Sequence, residues 1–383
     1  MPPRPAPLIA MLALVTSLAC GLASCGEPPP EPMPPLSEQA LATVAEDPGT
    51  ARKALARAVD DLFTQEGLGE TRALVVMHGG EIVAERYAPG YDEDTRFVSW
   101  SMAKTVTAAL IGLLVADGLL ELDAPAPIPR WQRPGDARSE ITLRHLLQMR
   151  SGLDHTEAGP VPVESSEVRM LFLEGRDDMA RWAKEQPLEA EPGSKFEYSS
   201  NTSVILADIA ARVLSQSSEP DARRDAVANY LKARLFEPLG MTSVVPEFDA
   251  AGTLIGGSLV HANARDWARF GDFLRNKGSY RGTQLLPRSW VETMTTPSPK
   301  SPHYGLQTWL NREFRKAGSE EMHPLFPDRA PASAFAMIGH MGQYAIVSPE
   351  QQLTVVRLGH SDREERIAML QQLADIFELY PVR

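Results

Sequence analysis

The sequence predicts an α+β fold: one antiparallel sheet built from both ends of the chain, flanked by helices, with a mostly helical region inserted between them. Three observations predict it. Leu74-Val75-Val76-Met77 and Ile82-Val83-Ala84 flank His78-Gly79-Gly80-Glu81, two apolar runs around a Gly-Gly turn that reads as a hairpin. Ala345-Ile346-Val347 and residues 353–358 flank a Ser348-Pro349 turn and read as a second hairpin. Between the two hairpins the apolar spacing is helical, and 383 residues are too many for a small binding module.

Along the chain, residues 1–24 read as a secretory signal. Arg4 is followed by an apolar stretch, 8–19, too short to span a bilayer. Leu22-Ala23-Ser24-Cys25-Gly26 resembles a bacterial lipoprotein box, which implies lipidation of Cys25 and a membrane anchor on the cell envelope, at the periplasmic face of the outer membrane. Cleavage there leaves a net charge of −13 instead of −12 and removes Cys20, so a mature chain acylated at Cys25 forms no internal disulfide. Residues 25–49 open Pro-rich and read as a tether. The body is then 50–383, with an α/β part at about 50–125 and 285–383 and a helical part at about 126–284.

Within the body, residues 51–65 have helical spacing, with Leu55, Val59 and Leu62 on one face. Residues 106–116 are apolar except for Thr107 and stop at Asp117-Gly118, which predicts a helix buried on all sides. At the C-terminal end Ser361-Asp362-Arg363-Glu364 reads as a capping box opening a helix through Ile367, Leu370, Leu373 and Phe377.

Composition narrows the function. The net charge of −12, without a Lys/Arg-rich run interleaved with aromatics, argues against nucleic acid as the partner. The eight histidines are scattered, with none paired at helical spacing, so no metal site and no cofactor is expected. Gly-x-Ser-x-Gly, His-Glu-x-x-His, Cys-x-x-Cys and the glycine-rich nucleotide motifs are all missing. Ser101-Met102-Ala103-Lys104 remains, at the head of the buried helix. One turn apart, the two side chains share a helix face. Desolvation lowers a lysine pKa and lets the amine take the serine proton, and the helix N-terminus favours a developing oxyanion. A capping serine with a surface lysine would share this pattern.

Further motifs separate the two. Residues 97–105 (FVSWSMAKT), Ile141-Thr142-Leu143-Arg144-His145-Leu146-Leu147 with Ser151-Gly152-Leu153, and Phe196-Glu197-Tyr198-Ser199-Ser200-Asn201 occur in that order. Gly256-Gly257, residues 264–271 (ARDWARFG) and Gly339-His340-Met341-Gly342-Gln343 follow. Together they resemble the serine β-lactamase and penicillin-binding-protein superfamily, in its class C β-lactamase-related branch, over about residues 72–358. The likeness extends to 6-aminohexanoate-dimer hydrolases and family VIII-type esterases.

The resemblance implies a β-lactamase/DD-peptidase-like fold. It also implies Ser101 as acylated nucleophile, Lys104 as its base and Tyr198 as a second proton-transfer group, whose phenol would need a lowered pKa or a proton shared with Lys104. It implies an oxyanion hole from the backbone N–H groups of Ser101 and Gln343, and substrate contacts from Ser200, Asn201, His340 and Gly342. Two departures bear on substrate. Tyr198-Ser199-Ser200-Asn201 leaves Ser200 or Asn201 to face the site, with Ser200 favoured, and His340 replaces a lysine that would offer a fixed cation to a carboxylate. The expectation is a serine hydrolase for a small ester or linear amide. The alternatives are a peptidoglycan-directed D,D-carboxypeptidase or D-aminopeptidase, a β-lactamase, and a catalytically silent lipoprotein that binds cell-wall fragments or a partner protein.

Overall fold

The computed structural model describes Met1 and residues 35–313 and 324–382. The chain divides into a unit Met1–Pro35 and a body Leu36–Arg383, which holds the helices and strands. The expected signal and Cys25 lie outside the described residues. Packing starts earlier than the sequence indicates. Helix α1 (Glu38–Ala42), capped by Ser37, and Val44, which bridges to Ala84, set residues 36–44 of the expected tether against the sheet.

Six strands form that sheet: β1 (Glu70–His78), β2 (Glu81–Tyr87), β3 (Trp309–Leu310), β4 (Phe335–Gly339), β5 (Gln343–Ser348) and β6 (Leu353–His360). Their order is β2-β1-β6-β5-β4-β3, antiparallel throughout. The chain ends meet where β1 pairs with β6, from Glu70 opposite His360 to His78 opposite Leu353. Gly79 and Gly80 make the β1–β2 turn with φ of 63° and 95°, the positive values that a two-residue hairpin of this twist needs.

Alternation along the strands separates two apolar layers. Leu74, Val76, Ile346 and Val355 face helices α2 (Arg52–Thr64) and α9 (Arg363–Glu378), through Leu55, Val59, Leu62, Leu370, Leu373 and Phe377. Val75, Ala345, Val347 and Val356 face the layer that holds Trp267, Phe270 and Phe273 of α8 (Ala264–Arg275). Helix α8 falls within the 126–284 region read as the helical part, yet it packs on β1, β5 and β6 and so belongs to the sheet layer. The cap of α9 also differs from the reading. Asp362, not Ser361, is the N-cap, and it forms the box with Glu365, because Ser361 is buried and its hydroxyl bonds the Leu68 carbonyl.

The chain after β2 supplies α3 (Ala103–Ala116), and the inserted region α4 (Ser166–Phe172), α5 (Met179–Glu185), α6 (Ser200–Leu214) and α7 (Pro220–Leu231). Helices α3 and α6 pack against each other, which brings the N-terminal turns carrying Lys104 and Ser200 together. Among the described residues no helix is long and apolar enough to cross a membrane.

Candidate active site

Residues 97–98 pair with 261–262, and Ser99 Oγ accepts the Val260 N–H, fixing the chain just ahead of the nucleophile candidate. A short 3₁₀ turn, Trp100–Met102, then runs into α3 and carries Ser101. Trp100 adopts φ +45°, a left-handed backbone that costs free energy for a bulky residue. It allows the chain to turn sharply and present Ser101 to a cavity of about 510 Å³.

Lys104 is 1% exposed. Its Nζ donates to Ser101 Oγ at 2.9 Å, Ser200 Oγ at 2.8 Å and the Gly257 carbonyl at 2.8 Å. Three donors on three acceptors satisfy an ammonium; a neutral amine keeps two of these bonds and turns its lone pair on the Ser101 proton. Burial pushes the Lys104 pKa down, against the opposing pull of Glu157 and Glu167.

Tyr198 stands beside Ser101 and lines the same cavity. Its pKa is raised well above the usual tyrosine value, first by burial and then by Glu157. That corrects the expectation of a lowered phenol pKa. Nor do the Lys104 hydrogen bonds, to Ser101, Ser200 and Gly257, reach the phenol: Nζ lies over the ring face, 4.8 Å from its centroid. Tyr198 is therefore a neutral phenol with a proton to give.

Sequence reasoning missed the two carboxylates here. Ser200 Oγ lies 2.7 Å from Glu157 Oε1 and 2.9 Å from Glu167 Oε1, and the Ser200 N–H donates to Glu157 Oε2 at 2.6 Å. Glu157 Oε1 is also 3.6 Å from Lys104 Nζ. A hydroxyl has one proton, so Ser200 serves both carboxylates only if one of them donates back. Glu167 is that one: burial, then Glu157, pushes its pKa up to about 7. Neither residue sits in a recognisable motif. The only signal was two acids on a segment following Ser151-Gly152-Leu153, with no spacing to tie them to residue 200.

The remaining candidates divide. Ser200 faces Lys104 and Asn201 does not; Asn201 is wholly buried and donates to Ser166 Oγ at 2.9 Å. His340 lines the cavity with its edge against Trp100, and burial followed by Arg366 lowers its pKa, so it is neutral near pH 7. Gly342 and Gln343 are not on the cavity wall. Gly342 turns at φ +83° with its carbonyl bonded to the buried Arg357, and Gln343 opens β5 opposite Gly339 with its side chain inward on Gly359. The reason is the tight 340–342 turn, which folds β5 back on β4 and leaves Ile338, Gly339 and His340 at the cavity. The wall beside Ser101 that could supply a second oxyanion N–H is this end of β4. Trp100 and Trp309 are cavity walls, whereas Tyr304 and Tyr344 are buried. Arg366 of α9 also lines the cavity and makes no ion pair among the described residues. No cluster of metal-ligating side chains occurs among the described residues.

A serine hydrogen-bonded to a desolvated lysine, with a phenol beside it and a helix N-terminus behind it, is an arrangement chemically able to support acyl transfer. Residues 59–376 match the family described as Beta-lactamase, and the chain belongs to that family. It is 27% identical over 278 residues to the 6-aminohexanoate-dimer hydrolase of Paenarthrobacter ureafaciens, covering 69% of this chain and 66% of that one. It is 24% identical over 286 residues to the N-acetylmuramyl-L-alanine amidase of Bacillus subtilis, covering 64% and 63%. The chain thus spans just under two thirds of these relatives. A family VIII carboxylesterase of solved structure superposes with a TM-score of 0.59 at 16% identity, over 86% of this chain and 98% of the other, a likeness of fold alone.

Proposed function

We propose that this protein is a serine hydrolase that forms an acyl-enzyme at Ser101 with a small ester or linear amide. The observation that carries the reading is the 2.9 Å contact between Ser101 Oγ and the Nζ of a wholly desolvated Lys104. Neutral Lys104 takes the Ser101 proton as Oγ attacks the carbonyl; the leaving group then receives a proton from the Lys104 ammonium, or from the Tyr198 phenol, whose phenolate the Lys104 ammonium reprotonates. Water then attacks the acyl-enzyme through the same groups. The Ser101 N–H and the N-terminal end of α3 face the oxyanion.

The cavity favours an acyl group with apolar surface, since Trp100, Leu171, Phe172 and Trp309 wall it. Its neutral His340 supports an ester or linear amide over a β-lactam, which would draw on a fixed cation at that position. The test is intact mass of the fragment from residue 36 after a fluorophosphonate probe. One adduct on the native protein and none on Ser101→Ala supports the reading, and equal labelling of both sinks it. Turnover of p-nitrophenyl esters, nitrocefin and D-Ala peptides then ranks the substrates.

The reading extends to the cell envelope, with acylated Cys25 as the anchor. Incorporation of labelled palmitate by the full chain, lost in Cys25→Ser, tests it.

A further inference from the structure

A second cavity, of about 800 Å³, shares no lining residue with the catalytic one. It lies among the 128–133 loop, α5, the later turns of α6 and the start of α7. Six of its lining side chains are cationic: Arg130, Arg133, Arg181, Lys184, Arg212 and Arg223. This concentration of positive charge sits on a chain whose net charge is −12.

Carboxylates are too few to balance them. Asp208, only 3% exposed, alone holds Lys184 at 2.5 Å, Arg212 at 2.8 Å and Arg223 at 2.7 Å. Glu185 likewise serves both Arg130 and Arg181. Arg133 forms no salt bridge among the described residues. Asp178 is the other lining acid, so six cations face three carboxylates when Glu185 is counted. Lys184 and Arg223 have side chains about nine-tenths buried, where a charge costs several kcal/mol unless it is compensated. Burial accordingly pushes the Lys184 pKa down despite Asp208. Among the described residues five of the six cations sit in ion pairs but share two carboxylates, and Arg133 has none, which leaves a positive surplus at the wall of an open cavity.

We propose that this cavity binds a polyanion of the phosphate type, with more than one charged group. Lys184 and Arg223 would hold it at the inner end, and Arg130, Arg133, Arg181 and Arg212 at the rim. A cavity of this volume exceeds a single phosphate, and guanidinium groups bind phosphate oxygens bidentately. The residues recognise anionic oxygens and not a particular scaffold. Asp208 lies eight residues along α6 from Ser200, so occupancy would bear on the helix that carries the Lys104 partner.

The test is thermal unfolding of the 36–383 fragment with pyrophosphate, inorganic phosphate, or sodium chloride at matched ionic strength. A ligand that binds only the folded state raises Tm. Pyrophosphate should raise Tm by several degrees, phosphate by less, and chloride not at all. Arg212→Glu, at a half-exposed position, and Arg133→Glu, at an exposed one, should each lose most of the shift. Arg366→Ala, in the catalytic cavity, should keep it. A pyrophosphate shift no larger than that of chloride, a full shift in both glutamate variants, or its loss in Arg366→Ala would each overturn the proposal.

Discussion

Ser200 Oγ stands between Lys104 Nζ, at 2.8 Å, and Glu167 Oε1, at 2.9 Å, so one hydroxyl joins the candidate base to a buried carboxyl. The charge on Glu167 therefore sets how readily Lys104 gives up its proton. Glu157, Tyr198, His340 and Arg366 also face this cavity, but only Glu157 and Glu167 pull directly on Lys104. Below about pH 7 Glu167 is neutral, and each rise in pH frees more Lys104 amine. Above it the new carboxylate favours the ammonium and cancels that gain. The rate of Ser101 labelling in the native protein should climb with pH and then flatten near 7. Glu167→Gln keeps the hydrogen bonds without the charge and should climb without the break. An unchanged break in the variant would remove Glu167 from this role.

The same group links pH to stability. Its folded pKa, about 7, lies above the unfolded value of 4.5, so the folded state holds the proton more tightly. The stabilisation is complete below pH 4.5 and is lost as pH rises through 7. In urea melts at pH 5 and pH 8, Glu167→Gln should show a smaller loss on going to pH 8 than the native protein. Equal losses would contradict it.

Removing Lys104 or Tyr198 separates the two roles proposed for them. Lys104→Ala takes away the base and should lower ester turnover by about 10²–10⁴-fold. Tyr198→Phe keeps the ring over which Lys104 sits and removes only the phenol proton, so acylation by a fluorophosphonate should survive better than turnover of an amide, whose leaving group needs a proton. Equal losses on both substrates would argue against leaving-group protonation by Tyr198.

Much of this site was legible in sequence because its key pair is local. Ser101 and Lys104 are one turn apart, and the apolar run after them announced burial. The hairpins were legible for the same reason, from period-2 runs around turn residues. What was not legible depends on approach between distant segments. Glu157 and Glu167 reach Ser200 across 43 and 33 residues, and nothing in their own spacing points there. Gln343 looked like an oxyanion donor from its place in the motif, but the tight 340–342 turn, fixed by Arg357 on the Gly342 carbonyl, took it out of the cavity. Residues 36–44 were read as tether from the prolines before them, and only the bridge from Val44 to Ala84 shows where packing begins.

Gly339 tests how closely β4 must approach the nucleophile turn. A Cβ there would lie 2.3 Å from the Ser99 carbonyl oxygen, a backbone atom that cannot swing away. Gly339→Ala should force the strand and the turn apart, at a cost of about 1–3 kcal/mol in stability. Its ester turnover should fall even at temperatures where circular dichroism shows the variant fully folded. Native turnover in a folded Gly339→Ala would mean that this approach does not position Ser101.

Arg366 brings a cationic side chain to the wall of the cavity beside His340. The position expected to carry a cation holds His340, which burial and Arg366 keep neutral near pH 7. Arg366 itself reaches the cavity from α9, and its Nε is buried without a hydrogen-bond partner. A guanidinium that forms no ion pair among the described residues, in a half-enclosed site, attracts a carboxylate, and a bidentate pair is among the stronger charge-assisted contacts. If it meets the substrate, Arg366→Ala should raise KM for a p-nitrophenyl hemisuccinate by about tenfold or more while leaving p-nitrophenyl butyrate nearly unchanged. His340→Lys should lower KM for the hemisuccinate alone, because it restores a cation where the neutral imidazole now stands. Parallel changes in KM for both esters would show that Arg366 shapes the cavity without reading charge. A change in kcat alone would place its effect on the transition state instead of on binding.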